Sequence, residues 1–245
     1  MALVAAGLAI WAILAFRKSN YTFPQACLYL LNRLITRLLW RAEVSGALPL
    51  SPNEGGVIVS NHRSGIDPLL IQLTTDRVVH WMVAREYIEH PSMAWAFRIL
   101  RSIPVNRRGI DTAATKLAIR TAKQGGLIGN FPEGRVNVTD KLLLPGRPGA
   151  ALIALRARVR IVPCYVVDPP YDGTALGCFL MPAKTKVIVG NPIDISEFYG
   201  REKDKEALEE ITARLLKEIA RLAGDPDFRP ELAGKRWTEE EQLSA

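Results

Sequence analysis

A short β-branched run, Val57-Ile58-Val59, follows Gly55-Gly56 and comes shortly before Asp67-Pro68. The run reads as a buried strand, because it is short, stiff at χ1 and preceded by two glycines. Asp67-Pro68 reads as a helix start, with Asp at the cap and Pro in the first helical position. The same alternation continues downstream. Strands are expected at 56–60, 78–84, 103–105, 126–131, 160–167 and 185–189. Helices are expected at 68–74, in pieces across 86–100, from Asp111 to about 123, near 148–157 and near 204–223. In the last, Leu208, Ile211, Leu215, Ile219 and Leu222 recur at three- and four-residue steps and would pack on the sheet. This pattern predicts an α/β fold, with a mixed, mostly parallel sheet flanked by helices. His62 then stands at the end of a strand and Asp67 at the mouth of the next helix, the edge where open α/β sheets place their chemistry. A carboxylate beside an imidazole can fix its tautomer and raise its basicity, which suits a general base for a hydroxyl. The plainer alternative is that Asp67 only caps a helix and His62 only occupies a turn.

The net charge of +7 is unevenly spread. Residues 1–43 carry Arg17, Lys18, Arg33, Arg37 and Arg41 against Glu43 alone, and residues 112–167 carry nine Lys and Arg against Glu133 and Asp140. A basic front half suits a phosphate-bearing partner. Nucleic acid is not the expected one: there is no basic recognition helix or zinc spacing, and the aromatics do not interleave with the cations. The three cysteines, Cys27, Cys164 and Cys178, are too scattered for a disulfide framework or a metal site.

Lipid fits better. Residues Met1 to Phe16 are almost wholly apolar and end at Arg17-Lys18. As a helix they would span about 24 Å, against roughly 30 Å of hydrocarbon. The basic flank would put the remainder on the cytoplasmic face of a membrane. From Pro24 to Trp40, Leu28, Leu31, Ile35, Leu38 and Leu39 lie near one helical face and Arg33, Arg37 and Arg41 on another, with Tyr29 and Trp40 as interfacial aromatics. The expected organisation is therefore a membrane-associated helical pair at 1–43, an α/β domain at 44–224 and a loosely held tail at 225–245. The Gly-, Pro- and Ser-rich stretch Gly46 to Gly56 would be the hinge between anchor and domain.

Three later stretches join Asn61-His62-Arg63-Ser64-Gly65-Ile66-Asp67. They are Ile103-Pro104-Val105-Asn106-Arg107-Arg108, Phe131-Pro132-Glu133-Gly134-Arg135 and Ile161-Val162-Pro163. In this order, over about residues 45–195, they resemble the blocks of the glycerolipid (lysophospholipid) acyltransferase family. The resemblance implies acyl transfer from acyl-CoA or acyl carrier protein to the free sn-2 hydroxyl of 1-acyl-glycerol-3-phosphate, giving phosphatidic acid. It makes His62 the base, Asp67 its orienting partner, and Asn61, Arg107, Glu133, Gly134 and Arg135 the acceptor's binding residues. It calls for no metal or redox cofactor, and for membrane lipids and the acyl donor as partners. Two departures stand out. The family's third block usually reads Phe-Pro-Glu-Gly-Thr-Arg; here either Thr is replaced or the loop is one residue shorter and Arg135 fills the arginine position. The second block usually opens with glycine, where this chain has Arg101. A different lysophospholipid or another hydroxylated lipid as acceptor is the first alternative, and a non-catalytic lipid-binding membrane module the second.

Overall fold

A computed structural model describes residues 21–106, 111–171, 173–174 and 177–233. The expected first anchor helix, Met1 to Phe16, lies outside the described residues, as do Arg107 and Arg108.

The strands are β1 (Glu43–Ser45), β2 (Gly56–Ser60), β3 (Val79–Ala84), β4 (Ile103–Val105), β5 (Leu127–Asn130), β6 (Arg160–Val167) and β7 (Lys186–Val189). They form one sheet in the order β1-β7-β6-β2-β5-β3-β4. Every neighbouring pair is parallel except β6 with β7. The helices are α1 (Phe23–Leu38), α2 (Asp67–Ile71), α3 (Arg85–Ile88), α4 (Ala94–Ile99), α5 (Thr112–Lys123), α6 (Gly149–Ala157) and α7 (Lys205–Leu222).

β2 is buried along its whole length between β5 and β6, as its unbroken apolar run requires of a central parallel strand. Its alternate residues serve two cores. Val57 and Val59 pack with the apolar stripes of α5, α6 and α7, including Ile211, Leu215 and Ile219. Ile58 faces the other way, into a cluster with Ile66, Leu70, Trp81 and Trp40. Asp111 and Asp204 cap α5 and α7 by accepting backbone N–H groups with their carboxylates.

Four expectations change here. The Gly46 to Gly56 stretch is not a hinge: Leu48 N–H donates to Thr74 O at 3.1 Å, and Leu48 and Leu50 pack into the second core. A Cβ on Gly55 would sit 1.9 Å from Ala122 O, so the chain is held against the end of α5. The tail beyond Gly224 is docked as far as it is described: Gly146 N–H donates to Glu231 O, Ala233 N–H donates to Gly146 O, and Phe228 packs on the first core. Trp40 is not interfacial but fully buried, and Tyr29 donates its hydroxyl to Asp76 at 2.7 Å.

The fourth concerns the facing of α1. Its buried side carries Gln25, Ala26, Asn32 and Thr36, while Phe23, Leu31, Leu34 and Leu38 are exposed. Each buried polar side chain makes at least one bond, though Asn32 Oδ1 is left without a partner among the described residues: Gln25 Nε2 donates to Ile99 O, Asn32 Nδ2 to Leu69 O and Thr36 Oγ1 to Asn32 O. Ile35 and Leu39 pack against the second core, so α1 covers one sheet face as part of the α/β fold. No described helix is long and apolar enough to cross a membrane.

Arg101 holds φ at 52°, a left-handed conformation that costs a residue with a Cβ about 1 kcal/mol or more. It stands where the resemblance calls for glycine. Arg101→Gly is expected to raise unfolding stability by about 0.5 kcal/mol, the relieved strain exceeding glycine's extra unfolded-chain entropy. Chemical denaturation checks this; a lower midpoint would mean that the guanidinium's contacts outweigh the strain.

Candidate active site

His62 leaves the C-terminal end of β2, and its Nδ1 lies 2.9 Å from Asp67 Oδ2 at the start of α2. The same carboxylate oxygen accepts the backbone N–H of Arg63 at 2.7 Å and of Ser64 at 2.8 Å. Three donors converging on one buried oxygen fix the connecting loop around the carboxylate and leave the histidine one way to face. With Nδ1 committed, Nε2 is the nitrogen left to exchange a proton. The His62 side chain is 16% exposed and that of Asp67 fully buried, so the pair opens outward only at the imidazole.

The ring rests on an aromatic column. His62 stacks on Phe131 with centroids 3.9 Å apart and planes 6° from parallel, and Phe131 stacks on Trp81 at 4.8 Å and 17°. Trp81 lies on β3, and Phe131 directly follows β5, the strand that pairs with β3. Gly129 makes the column possible, since a Cβ there would come within 2.5 Å of the Trp81 ring.

The loop from Phe131 to Pro148 folds back over these strand ends. Gly134 closes its first turn with φ at 75°, donating its N–H to Phe131 O. Asn137 N–H then donates to His62 O at 2.7 Å. Arg63 grips the far side of the loop through the carbonyls of Asn137, Thr139 and Lys141. Glu133 lies beneath the loop, 3% exposed. One of its oxygens accepts His62 N–H and the other Leu144 N–H, each at 2.8 Å. Burial pushes its pKa up from 4.5 to about 7, against the pull of these two amides.

The structure therefore brings His62, Asp67, Glu133 and Gly134 together. Arg135 follows Gly134, half-buried, at the same loop. Two expected acceptor contacts are corrected. Asn61 is buried and spends its side chain on Val166, accepting its N–H at 2.8 Å and donating to its C=O at 2.9 Å. It extends the β2–β6 ladder by one side-chain pair. Both Glu133 oxygens are likewise taken by main-chain donors, so its carboxylate holds the backbone of His62 instead of facing the opening. Phe131, Trp81 and Arg63 were not anticipated. Gly129 inside a strand was the one available sign, because a missing side chain there marks a close approach.

The Acyltransferase family model matches residues 41–167. Among relatives, a 1-acyl-sn-glycerol-3-phosphate acyltransferase of Streptococcus pneumoniae is 27% identical over 201 residues, covering 78% of this chain and 71% of that protein. One from Bacillus subtilis is 26% identical over 197 residues, covering 80% of this chain and 94% of its own length. In solved structures, the fold resembles the 1-acyl-sn-glycerophosphate acyltransferase PlsC of Thermotoga maritima, with a TM-score of 0.59 at 22% identity, over 87% of this chain and 88% of that one. The family match covers just over half of the chain and includes β2, the His62–Asp67 pair, the Phe131–Arg135 loop and β6. The chain belongs to the acyltransferase family.

Proposed function

We propose that this chain moves a fatty acyl group from acyl-CoA or acyl carrier protein to the sn-2 hydroxyl of 1-acyl-glycerol-3-phosphate, giving phosphatidic acid. The observation that carries the reading is the pairing of His62 Nδ1 with a buried carboxylate, which leaves Nε2 at the opening. Nε2 takes the proton of the acceptor hydroxyl as its oxygen attacks the thioester carbonyl. The tetrahedral adduct collapses by breaking its C–S bond, and the imidazolium returns the proton to the departing sulfur. Asp67 stabilises the imidazolium in between. Arg135 and Arg107 are the guanidinium donors for the acceptor's phosphate. Alcoholysis of a thioester calls for no metal or redox group.

The acceptor's acyl chain belongs in a bilayer, and α1 is built for that boundary. A helix that turns its glutamine, asparagine and threonine toward the protein and its leucines outward has the reverse of a soluble helix's polarity. Its outer stripe suits the interface of an anionic leaflet, with Arg33, Arg37 and Arg41 at phosphate level. The Arg17-Lys18 flank of the preceding apolar stretch argues for the cytoplasmic face.

The test is turnover by the purified chain of labelled acyl-CoA or acyl carrier protein, with lysophosphatidate and lysophosphatidylcholine competing as acceptors. Phosphatidic acid should dominate the product. Ester formed only on the choline lipid would reassign the acceptor, and no thioester consumed with either donor would end the enzymatic reading.

A further inference from the structure

A second exposed apolar side chain stands where α1 ends. Leu180 is 83% exposed, and Leu38, the last residue of α1, is 72% exposed. It follows the helical turn Gly177–Phe179, and this segment is laced to the end of α1. Phe179 packs edge-on against Trp40 with centroids 6.4 Å apart. Ala183 N–H donates to Leu39 O at 3.1 Å, Thr185 N–H to Trp40 O at 3.2 Å, and Arg41 Nε to Ala183 O at 3.2 Å. Leu180 is thus held outward by a fixed framework, with no core to enter. Arg37, Arg41, Lys184 and Lys186, all exposed, lie on the same joined segments. Apolar tips flanked by cations complement an anionic leaflet, the leucines reaching hydrocarbon and the cations the phosphates.

We infer that residues Gly177 to Lys186 form a second lipid-contacting arm, which with α1 sets the catalytic edge of the sheet against an anionic bilayer. The inference rests on the reading of α1 above and adds a partner contact and an orientation to it. A single helical stripe leaves the molecule free to rock about the helix axis; a contact off that axis removes the freedom.

The register says what this orientation achieves. β7 begins with Lys186 opposite Val167, the last residue of β6, so the arm leaves the sheet at the edge where β2 also ends. Only β6 separates β7 from β2, a displacement of about 10 Å across two strand spacings. Ser64, in the loop that carries His62, donates its hydroxyl to Pro170 O at 2.5 Å, on the connection leading to the arm. The imidazole rests on Phe131, which packs against the core that α1 covers. An acceptor anchored by its chain in the leaflet therefore meets the base without leaving the bilayer.

The test uses the full chain with Cys27→Ser, since Cys164 and Cys178 are buried. Leu180→Cys and, separately, Leu38→Cys are labelled with nitrobenzoxadiazole and mixed with phosphatidylglycerol–phosphatidylcholine vesicles. Both labels should shift to the blue and be quenched by a nitroxide on the lipid chain. Leu180→Glu should slow turnover of vesicle-borne lysophosphatidate by roughly tenfold or more, and leave turnover of detergent-dispersed substrate unchanged. A label at 38 that buries while the label at 180 stays in water overturns the second arm and spares the docking of α1. Both labels staying in water overturns the docking of α1 and the arm with it. Equal slowing of Leu180→Glu in detergent shows that the residue serves the fold, and overturns the arm alone.

Discussion

His62→Ala is expected to lower acyl transfer by roughly 10²–10⁴-fold, the range over which a positioned general base acts. The fold should survive, because the imidazole lies at the outer end of the aromatic column and its removal leaves Phe131 and Trp81 stacked on each other. Unfolding by denaturant and binding to anionic vesicles should therefore stay close to those of the unaltered chain. Asp67→Asn should fail differently. Its carbonyl can still receive the N–H groups of Arg63 and Ser64 and the ring Nδ1, which converge on one oxygen, but without the negative charge, and its NH₂ falls where the other oxygen has no partner among the described residues. Weaker acceptance and a buried donor left unpaired cost about 1–3 kcal/mol of stability, besides the activity. Product formation by both variants, read next to their unfolding midpoints, separates the base from its holder. An His62→Ala chain turning over within tenfold of the unaltered one would remove the base assignment.

Glu133→Gln is expected to cost about 10²-fold in turnover without touching substrate, because displacing a catalytic group by about 1 Å is enough for that loss. The glutamine can still accept from one of His62 N–H and Leu144 N–H, but its NH₂ meets the other. The same substitution has a signature in pH. Burial raises the Glu133 pKa from 4.5 to about 7. Between those values the folded chain keeps a proton that the unfolded chain has released, so this group's contribution to stability is fullest at the acid end and is lost as pH rises. The change across the window is about 3 kcal/mol. Glutamine cannot titrate, so the stability gap between the two chains should be widest near pH 4.5 and narrow toward pH 7. Denaturant unfolding at intervals across that range measures it; a gap that stays constant would show that folding leaves the carboxyl's pKa where it is in the unfolded chain.

Local chemistry made much of this fold legible. The runs expected at 56–60, 103–105 and 160–167 are β2, β4 and β6 to the residue, because β-branched stretches bounded by glycine, proline or charge specify a strand without help from afar. β1 escaped notice because it is three residues long, exposed, and paired only with β7, whose own direction depends on the antiparallel return from β6. The docking of residues 225–233 on Gly146 is likewise a long-range matter. At the site, His62 and Asp67 are five residues apart and their meeting could be anticipated. Asn61 and Glu133 were placed in the right neighbourhood with the wrong partners. Whether a polar side chain turns to a ligand or to a backbone amide depends on the Phe131–Pro148 loop closing over β2, and no local pattern carries that. In α1 the leucine periodicity was visible but not its facing, since periodicity alone does not say which side of a helix the protein covers.

The aromatic column has a bearing on traffic. Phe131 seals one face of the imidazole and Asp67 occupies its inner edge, so every molecule that deals with His62 must do so through the remaining sector of the ring. In the proposed reaction the alcohol, the thioester carbonyl and the finished ester all use that sector. Such a one-door arrangement lets product obstruct the next arrival, and accumulated phosphatidic acid should then compete with its own precursor.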